Sequence, residues 1–217
     1  MSTGSVWYEQ WVFSPLLSLA DRALGSVRPE LLTQARGRVL ELGIGSGLSL
    51  PYYGPGVTEL VGLEPSATLL GQCQQRLDRS RQSSAHSATV PTTLLQGQAE
   101  TLPWPDNHFD TVVAFLVFCT IADPLRAVSE LRRVLRPGGQ LLFFEHVASP
   151  ESGLERWQRR MNPLWRRLAC GCHLTRDTHR LFREAGFAMD TIPVRRHPDI
   201  PLPLLAPTIS GAVTHGG

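Results

Sequence analysis

The sequence predicts an α/β fold built on a doubly wound, mostly parallel sheet, and three observations support this prediction. Apolar runs of strand length alternate with helical segments along most of the chain. Several of these runs are continuously apolar, which is typical of parallel strands that are covered on both faces. A glycine-rich turn follows the first run directly. We therefore expect a Rossmann-like sheet of seven strands with an antiparallel edge strand and a helical cap.

The predicted elements follow one another in βα order. Strands are expected at 38–45, 59–65, 93–97, 109–118, 140–148, 187–194 and 207–213, the last two as an antiparallel pair at one edge. Helices are expected within 6–24, from about 48, and at 66–79, 123–136, 151–169 and 175–185. Ser66 and Asp123 are the expected N-caps, and Gly186 ends the last helix. Residues 80–92 are rich in Ser, Thr and Gln, which predicts a mobile surface loop.

The charge balance argues against some classes of partner. The net charge of +2 gives no reason to expect a nucleic-acid partner. Arginines cluster at 156, 159, 160, 166 and 167; a solvated helix face is the favoured interpretation, and an anion or peripheral membrane contact is the alternative. No apolar run approaches the roughly 20 residues of a membrane span, and the N-terminal residues show no signal-peptide pattern. Because the cysteines have no disulfide-framework spacing, we expect a cytoplasmic protein without stable membrane insertion.

The glycine-rich turn, ELGIGSG, is the strongest functional signal. It contains Gly43, Gly45 and Gly47, and glycines are needed where backbone approaches a ligand closely. A dinucleotide fingerprint would place its third glycine at position 48, which is Leu48. S-adenosylmethionine has no phosphate and carries a sulfonium and an ammonium group, so a preceding acid such as Glu41 suits it. We predict that these four residues bind S-adenosylmethionine.

Two further segments extend the predicted cofactor site. Glu64 ends the second strand, where an acid can accept hydrogen bonds from both ribose hydroxyls. A solvated strand-end carboxylate is the alternative interpretation. The polar loop after the third strand contains Gln98, Ala99 and Glu100, which we expect at the adenine edge. This loop is a weak signal alone, and it gains weight from its place before the fourth strand.

Several motifs together resemble a known superfamily. ELGIGSG, GLEPS, QAETLPWPDNHFD and LRRVLRPGG resemble the class I methyltransferases over residues 38–148. FLVFCTIADP, EHVASP, the Trp157 to Trp165 insert and GCHLTRDTHRLFREAGF closely resemble the methyltransferase-like family whose animal members are alkyl thiol methyltransferases. The resemblance implies S-adenosylmethionine-dependent methylation of a small lipophilic thiol. Compared with those animal relatives, we expect this sequence to lack the N-terminal membrane-anchoring apolar segment.

The whole chain, 1–217, is interpreted as a single methyltransferase domain. Residues 1–36 are expected to form an N-terminal helical cap, 37–148 the cofactor-binding core, and 149–217 the acceptor-side helical insert with the C-terminal strands. N-, O- or C-methylation of an amine, a phenol, a quinone or a phospholipid headgroup remains the alternative function. A cofactor-binding module without turnover is the alternative from another class.

Candidate reacting residues lie in the second half of the chain. A thiol must lose its proton before methylation, and His146 at the end of the fifth strand is the candidate base. The alternative is that His146 only orients the insert. We expect the acceptor pocket to be lined by bulky or apolar side chains, namely Phe118, Cys119, Trp157, Trp165 and His173, although each of them can equally belong to the core. Cys170 and Cys172 have no second Cys/His pair in sequence, so no metal is expected.

Overall fold

The computed structural model describes residues 24–82 and 90–216. The helices predicted within 6–24, and most of the N-terminal cap with them, lie outside these residues, as does the centre of the loop predicted at 80–92. No helix among the residues described is both long and apolar enough to cross a bilayer.

One mixed sheet organises the described chain. Its strands are β1 (Gly37–Leu42), β2 (Val57–Glu64), β3 (Thr92–Gln96), β4 (Phe109–Phe115), β5 (Leu135–His146), β6 (Arg195–Arg196) and β7 (Pro207–Thr214). The spatial order is β3-β2-β1-β4-β5-β7-β6. The first five strands are parallel, and β7 pairs antiparallel with both β5 and β6. The predicted seven-stranded sheet with an antiparallel edge is confirmed.

Helices connect these strands and cover the sheet. They are α1 (Val27–Leu32), α2 (Ala67–Gln82), α3 (Pro124–Val134), α4 (Ser152–Leu168) and α5 (Thr178–Glu184), with a 3-10 helix at Leu50–Tyr52. The predicted caps are confirmed: the Ser66 hydroxyl accepts from the N–H of Leu69 at 3.3 Å, and the Asp123 carboxylate from that of Arg126 at 3.1 Å. Gly186 follows α5 with φ +89°.

The core lies on both faces of the sheet, as continuous apolar strands require. In β4, Val112 and Ala114 pack on one face, against α3 and α5, while Val113 and Phe115 pack on the other, against α1. The same alternation holds in β1, where Val39 and Leu40 belong to different clusters. The carboxyl ends of the parallel strands therefore meet at one edge of a sheet that is buried on both faces.

Three predictions about elements are wrong. Residues 187–194 form no regular strand: Phe187 and Met189 are buried, but the segment turns, with the N–H of Met189 donating to Phe187 O and that of Ile192 to Met189 O. The edge strand β6 is therefore only two residues long. The helix expected from about 48 is only the short 3-10 turn. The fourth strand stops three residues early because Leu116 adopts φ +55°.

Candidate active site

A cleft of about 410 Å³ opens at the carboxyl ends of β1, β2, β3 and β4. The glycine-rich turn after β1, Glu64 at the end of β2 and residues 97–100 after β3 line one side. The opposite side consists of residues 115–117 and 120–122 after β4, together with Cys170 after α4. Parallel strands bring these loops together because all of them leave the sheet at the same edge.

The three glycines of the turn have different structural reasons. A Cβ at Gly45 would have no neighbour closer than 3.9 Å, so it would project into the open cleft, and φ +58° further disfavours a side chain there. A Cβ at Gly43 would lie 2.5 Å from Val117 Cγ2, and one at Gly47 would lie 2.7 Å from Cys73 Sγ. Gly43 and Gly45 line the cleft. Gly47 instead allows close packing of the turn on α2.

Glu64 is the carboxylate that organises this end of the cleft. It is 6% exposed, and it lines the cleft as predicted from its place at the end of β2. Its Oε2 accepts from the N–H of Gly45 at 3.0 Å, and its Oε1 from the N–H of Ser66 at 2.9 Å. A carboxylate oxygen can accept more than one hydrogen bond, and this chemistry suits Glu64 to a ligand hydroxyl.

Glu41 lies beneath the turn and does not line the cleft, which corrects its predicted direct contact with the cofactor. It is 1% exposed, and it accepts hydrogen bonds from the hydroxyls of Ser49 at 2.5 Å and Tyr53 at 2.9 Å. Burial raises the pKa of Glu41, and the hydrogen bond from Ser49 and the charge of Arg28 only partly oppose that effect. Glu41 therefore holds the segment that follows the turn through its hydrogen bonds with Ser49 and Tyr53.

Gln98, Ala99 and Glu100 line the cleft after β3. Glu100 Oε1 also accepts from the N–H groups of Ala122 and Asp123, each at 3.2 Å. This carboxylate therefore joins the loop after β3 to the start of α3 across the cleft. The contact spans 22 residues of sequence, and no local pattern predicts it.

A polar anchor on α3 holds the segment that follows this loop. Arg133 donates to the carbonyl oxygens of Leu102 at 2.9 Å and Trp104 at 2.7 Å, while it pairs with Glu130 at 2.8 Å. Glu130 in turn accepts from the N–H of Leu102 at 2.9 Å. The hydrogen bond from Arg133 is the main cause that lowers the pKa of Glu130. These contacts join the motifs QAETLPWPDNHFD and LRRVLRPGG in the folded chain.

Arg28 is a cleft residue that the sequence analysis missed. It precedes the sheet, and its guanidinium lies 3.9 Å from the centroid of the Phe115 ring and donates to Ser49 Oγ at 2.5 Å. Because Phe115 ends β4, this stacking brings a cation into the cleft wall. Arg28 lies 15 residues before Gly43, and no sequence pattern around it predicts this placement in the cleft.

Behind the side of the cleft that contains residues 120–122 and Cys170 lies a buried group that we name the sulfur cluster: Cys119, His146 and Cys172. Their ligand-type atoms all lie within 4.8 Å of one another, and His146 Nε2 is 3.0 Å from Cys172 Sγ. The three side chains are 3%, 5% and 7% exposed, respectively. None of them lines the cleft, so His146 is not placed to contact an acceptor directly.

The cluster perturbs the acidity of its own members. The hydrogen bond with Cys119 is the main cause that lowers the pKa of Cys172. Contact with His146 lowers this pKa further, and burial opposes both effects. The same sulfur–sulfur contact and burial raise the pKa of Cys119. Burial lowers the pKa of His146, but the hydrogen bond and charge of Cys172 outweigh it, so the pKa of His146 is raised. These shifts favour the charged forms of Cys172 and His146 and the neutral form of Cys119.

Glu145 fixes the loop that carries Cys119. It is fully buried, and its Oε1 accepts from the N–H groups of Val117 at 2.9 Å and Phe118 at 3.0 Å. Burial raises the pKa of Glu145 to about 7, although both backbone donors favour the charged form. The first two residues of EHVASP thus have different roles: Glu145 holds the loop after β4, and His146 contacts Cys172.

Of the residues predicted to line an acceptor pocket, the structure brings Cys119, Trp165 and His173 together and places Phe118 and Trp157 elsewhere. Phe118 is fully buried against Phe182, with ring centroids 4.9 Å apart, and belongs to the core. Trp157 is 60% exposed, because Gln158 takes the inward position on α4, so its assignment to the pocket wall is wrong. Trp165 packs on Cys119 and Cys172.

The segment GCHLTRD docks across the ends of β4 and β5. The N–H of His173 donates to Cys119 O at 2.8 Å, and that of Ala148 to Arg176 O at 2.9 Å. The guanidinium of Arg176 reaches Ile121 O at 2.7 Å. Burial lowers the pKa of the His173 imidazole, which lies beside the cluster rather than in the cleft. The GCHLTRD segment therefore lies beside the cleft, but the imidazole of His173 does not line it.

The Cys170-x-Cys172 pair is divided by the fold. Cys170 has φ +47°, is exposed and lines the cleft, whereas Cys172 turns inward to the sulfur cluster. An L-residue in this left-handed region is strained by roughly 1–2 kcal/mol. The partners of Cys172 are thus Cys119 and His146, which come from distant parts of the chain.

Comparisons with known proteins agree with this geometry. Residues 40–143 match the family described as a methyltransferase domain. The chain is 32% identical over 190 residues to human thiol S-methyltransferase TMT1B, which covers 83% of this chain and 75% of that protein. It is 36% identical over 118 residues to phosphatidylethanolamine N-methyltransferase from Cereibacter sphaeroides, which covers 54% of this chain and 55% of that protein.

Solved structures show the same fold. The crystal structure of the YcgJ protein from Bacillus subtilis has a TM-score of 0.62 at 25% identity, and the match covers 77% of this chain and 68% of that one. The methyl donor of such enzymes is S-adenosylmethionine, which carries the methyl group on a positively charged sulfur. The residues present suit it, since Gly45 leaves open space for a ligand and Glu64 offers carboxylate oxygens in the cleft. This chain belongs to the class I S-adenosylmethionine-dependent methyltransferases, in the methyltransferase-like family that includes TMT1B.

Proposed function

We propose that this enzyme methylates the sulfur of a small lipophilic thiol. The observation that carries the proposal is the position of the GCHLTRD segment, which docks beside the cleft and brings Cys170 into its wall. The similarity to TMT1B extends over most of the chain and so reaches beyond the cofactor half, whereas the N-methyltransferase relative matches only about half of it. TMT1B is the relative whose name states thiol S-methylation.

The cofactor is proposed to lie along the turn after β1. Glu64 accepts the ribose hydroxyls, the loop Gln98–Glu100 contacts the adenine, and the backbone of Gly43 and Gly45 borders the methionine portion. Arg28 is the cation at this part of the cleft, and its charge suits the carboxylate of the cofactor. Alignment of acceptor, methyl group and sulfonium by such contacts can supply roughly 7–11 kcal/mol of a displacement barrier.

The acceptor is proposed to enter from the side of residues 115–122 and Cys170. The aromatic and aliphatic groups there favour a lipophilic molecule over a polar one. A thiol has an unperturbed pKa of about 8.5, against about 10.4 for an alkyl amine, so its nucleophilic form is the more accessible at neutral pH. His146 acts through Cys172 in this arrangement, because it has no direct access to the cleft.

A panel of acceptors tests this function. The purified enzyme would be incubated with S-adenosylmethionine labelled in the methyl group and with matched alkyl thiols, amines, phenols and a quinol, and products would be identified by mass spectrometry. We expect label on thioether sulfur, with rates that increase with the length of the alkyl chain. Methylation of an amine, phenol or quinol without any thioether would overturn the proposal and leave the alternative acceptors. Absence of any product, with intact cofactor binding, would favour a module without turnover.

A further inference from the structure

The sulfur cluster has a donor set and a geometry that recur in metal sites. Cys119, His146 and Cys172 offer two sulfurs and one imidazole nitrogen, all within 4.8 Å of one another. A tetrahedral zinc ion with bonds of about 2.3 Å to sulfur and about 2.0 Å to nitrogen places its ligand atoms roughly 3.5–3.8 Å apart. The separation of 3.0 Å between His146 Nε2 and Cys172 Sγ is below this range, and the upper limit of 4.8 Å for the three atoms is above it. Movements of the side chains by about 1 Å would therefore bring the three atoms to the distances of a zinc site.

The nature of the donors selects the ion. Hard cations such as Mg²⁺ and Ca²⁺ prefer oxygen, whereas two thiolates with an imidazole select a thiophilic ion such as Zn²⁺. Two thiolates and a neutral imidazole neutralise the charge of Zn²⁺, so burial of the group carries only a small desolvation cost. Three protein ligands leave a fourth position, and a Cys₂His set with one open position is known for catalytic zinc.

The surrounding contacts hold the three donors in place. The N–H of His173 ties the Cys172 segment to Cys119 O at 2.8 Å, and the N–H of Leu174 donates to Asn162 Oδ1 of α4 at 2.9 Å. Glu145 fixes the loop after β4 from below. A donor set that is held this firmly before a ligand binds loses little entropy on binding.

The cluster also lies directly behind the cleft wall. Thr120 and Cys170 line the cleft, and they are one and two residues from Cys119 and Cys172, respectively. Val117, whose N–H is held by Glu145, lines the cleft as well. A ligand that enters on the acceptor side is therefore separated from the two sulfurs by a single layer of residues.

We propose that the sulfur cluster binds one Zn²⁺, with a water molecule in the fourth position. Binding would release the thiol protons of Cys119 and Cys172 to solvent, because the ligands are thiolates. The acceptor does not reach the ion, since none of the three side chains lines the cleft. The ion would instead hold in place the loop after β4 and the segment after α4, which carry the wall residues Thr120 and Cys170.

This assignment replaces the expectation of no metal that the sequence supported. That expectation depended on Cys170 and Cys172 as a pair without partners. In the structure, Cys170 is not part of the cluster, and the partners of Cys172 are supplied by the loop after β4 and by the end of β5.

Metal binding is tested without any measurement of turnover. Zinc in the purified protein would be quantified by elemental analysis, and protein stripped with a chelator would be titrated with Co²⁺. We expect one metal ion per chain and, for Co²⁺, the charge-transfer absorption of thiolate ligands. Replacements C119S and C172S should abolish stoichiometric binding, whereas C170S and C73S should retain it, because neither Cys170 nor Cys73 belongs to the cluster. Wild-type protein that holds no zinc and shows no thiolate absorption with Co²⁺ would overturn the site.

The role of the ion is tested separately from its binding. Metal-free protein should unfold at a lower temperature than metal-loaded protein, and C172S should lose this difference while C170S keeps it, because only Cys172 belongs to the cluster. Equal values of Tm for metal-free and metal-loaded wild-type protein would overturn the structural role of the ion. A metal-loaded protein that methylates only amines or phenols would leave the site intact and overturn the thiol function.

Discussion

At the scale of single residues, the site combines groups that the sheet places with groups that distant contacts place. Glu64 lies where a parallel strand ends, and Gly45 lies in the turn that follows the neighbouring strand. Arg28 and the sulfur cluster instead depend on neighbours from segments 20 or more residues apart. The direction of the Glu41 side chain is determined by its hydrogen bonds with Ser49 and Tyr53.

Removal of the Glu64 carboxylate should weaken cofactor binding. Glu64→Ala deletes the acceptor of the Gly45 and Ser66 N–H groups together with the proposed ribose contacts. Hydrogen bonds to charged groups contribute roughly 1.5–3 kcal/mol, so we expect the Kd for S-adenosylmethionine to rise about ten- to a hundredfold. Calorimetry would measure this change. Glu59→Ala is the matched control, because Glu59 lies on the same strand and makes only a half-exposed ion pair with Arg38. Equal affinities for both variants would contradict the assignment of Glu64.

Burial of Glu41 should make stability depend on pH. Its folded pKa is raised above the value of 4.5 of the free side chain, so the folded protein retains a proton that the unfolded chain releases. Its contribution to the free energy of unfolding is therefore largest below pH 4.5 and is lost as the pH rises toward the folded pKa. Urea denaturation between pH 4.5 and 7 should show Glu41→Gln gaining stability relative to wild type as the pH rises. A constant difference would show that Glu41 is ionised in the folded state throughout.

At the scale of elements, apolar periodicity predicted which segments form helices better than which faces those helices bury. The insert at 151–169 is the helix α4, and its arginines are exposed as a solvated face requires. Trp157, however, was expected to line a pocket and is exposed, whereas Gln158 is buried and Trp165 packs on the sulfur cluster. The segment 187–194 shows the reverse error: its alternating burial suits a strand, but turns and the contacts of His179 with Met189 O and Ile192 O replace strand pairing.

Gln158 should be the residue that anchors α4 to the sheet. Its amide accepts from the N–H of Ser149 at 2.7 Å and donates to Val147 O at 3.1 Å and Leu204 O at 2.9 Å. Gln158→Leu would leave these buried groups unpaired, at about 1–3 kcal/mol for each group that water cannot reach. We expect the free energy of unfolding in urea to fall by roughly 3 kcal/mol.

The neighbouring residue on α4 provides the control for this substitution. Arg159→Ala removes an exposed pair with Glu155, and it should change stability by no more than about 0.5 kcal/mol. A similar small effect for Gln158→Leu would mean that other contacts dock the helix.

At the scale of the whole molecule, the parallel order of five strands brings four loops to one edge, and this arrangement was predictable from the alternation of apolar runs and helices. The sequence could not predict which side chains of those loops meet, because that depends on register and on left-handed residues such as Leu116 and Cys170. The fold thus determines where chemistry takes place, and long-range contacts determine which chemistry is possible.

Cofactor binding should stabilise the entire fold, because the cleft joins loops from both halves of the sheet. A ligand at a hundred times its Kd raises the free energy of unfolding by about 2.7 kcal/mol, which corresponds to a rise in Tm of roughly 5–10 °C for a chain of this length. Thermal unfolding should show this rise with S-adenosylmethionine and with its demethylated product. NAD should give no rise, because Leu48 replaces the third glycine that a dinucleotide turn requires. Comparable stabilisation by NAD would contradict the assignment of the cleft, and the Glu64→Ala protein should lose about half or more of the shift at the same ligand concentration.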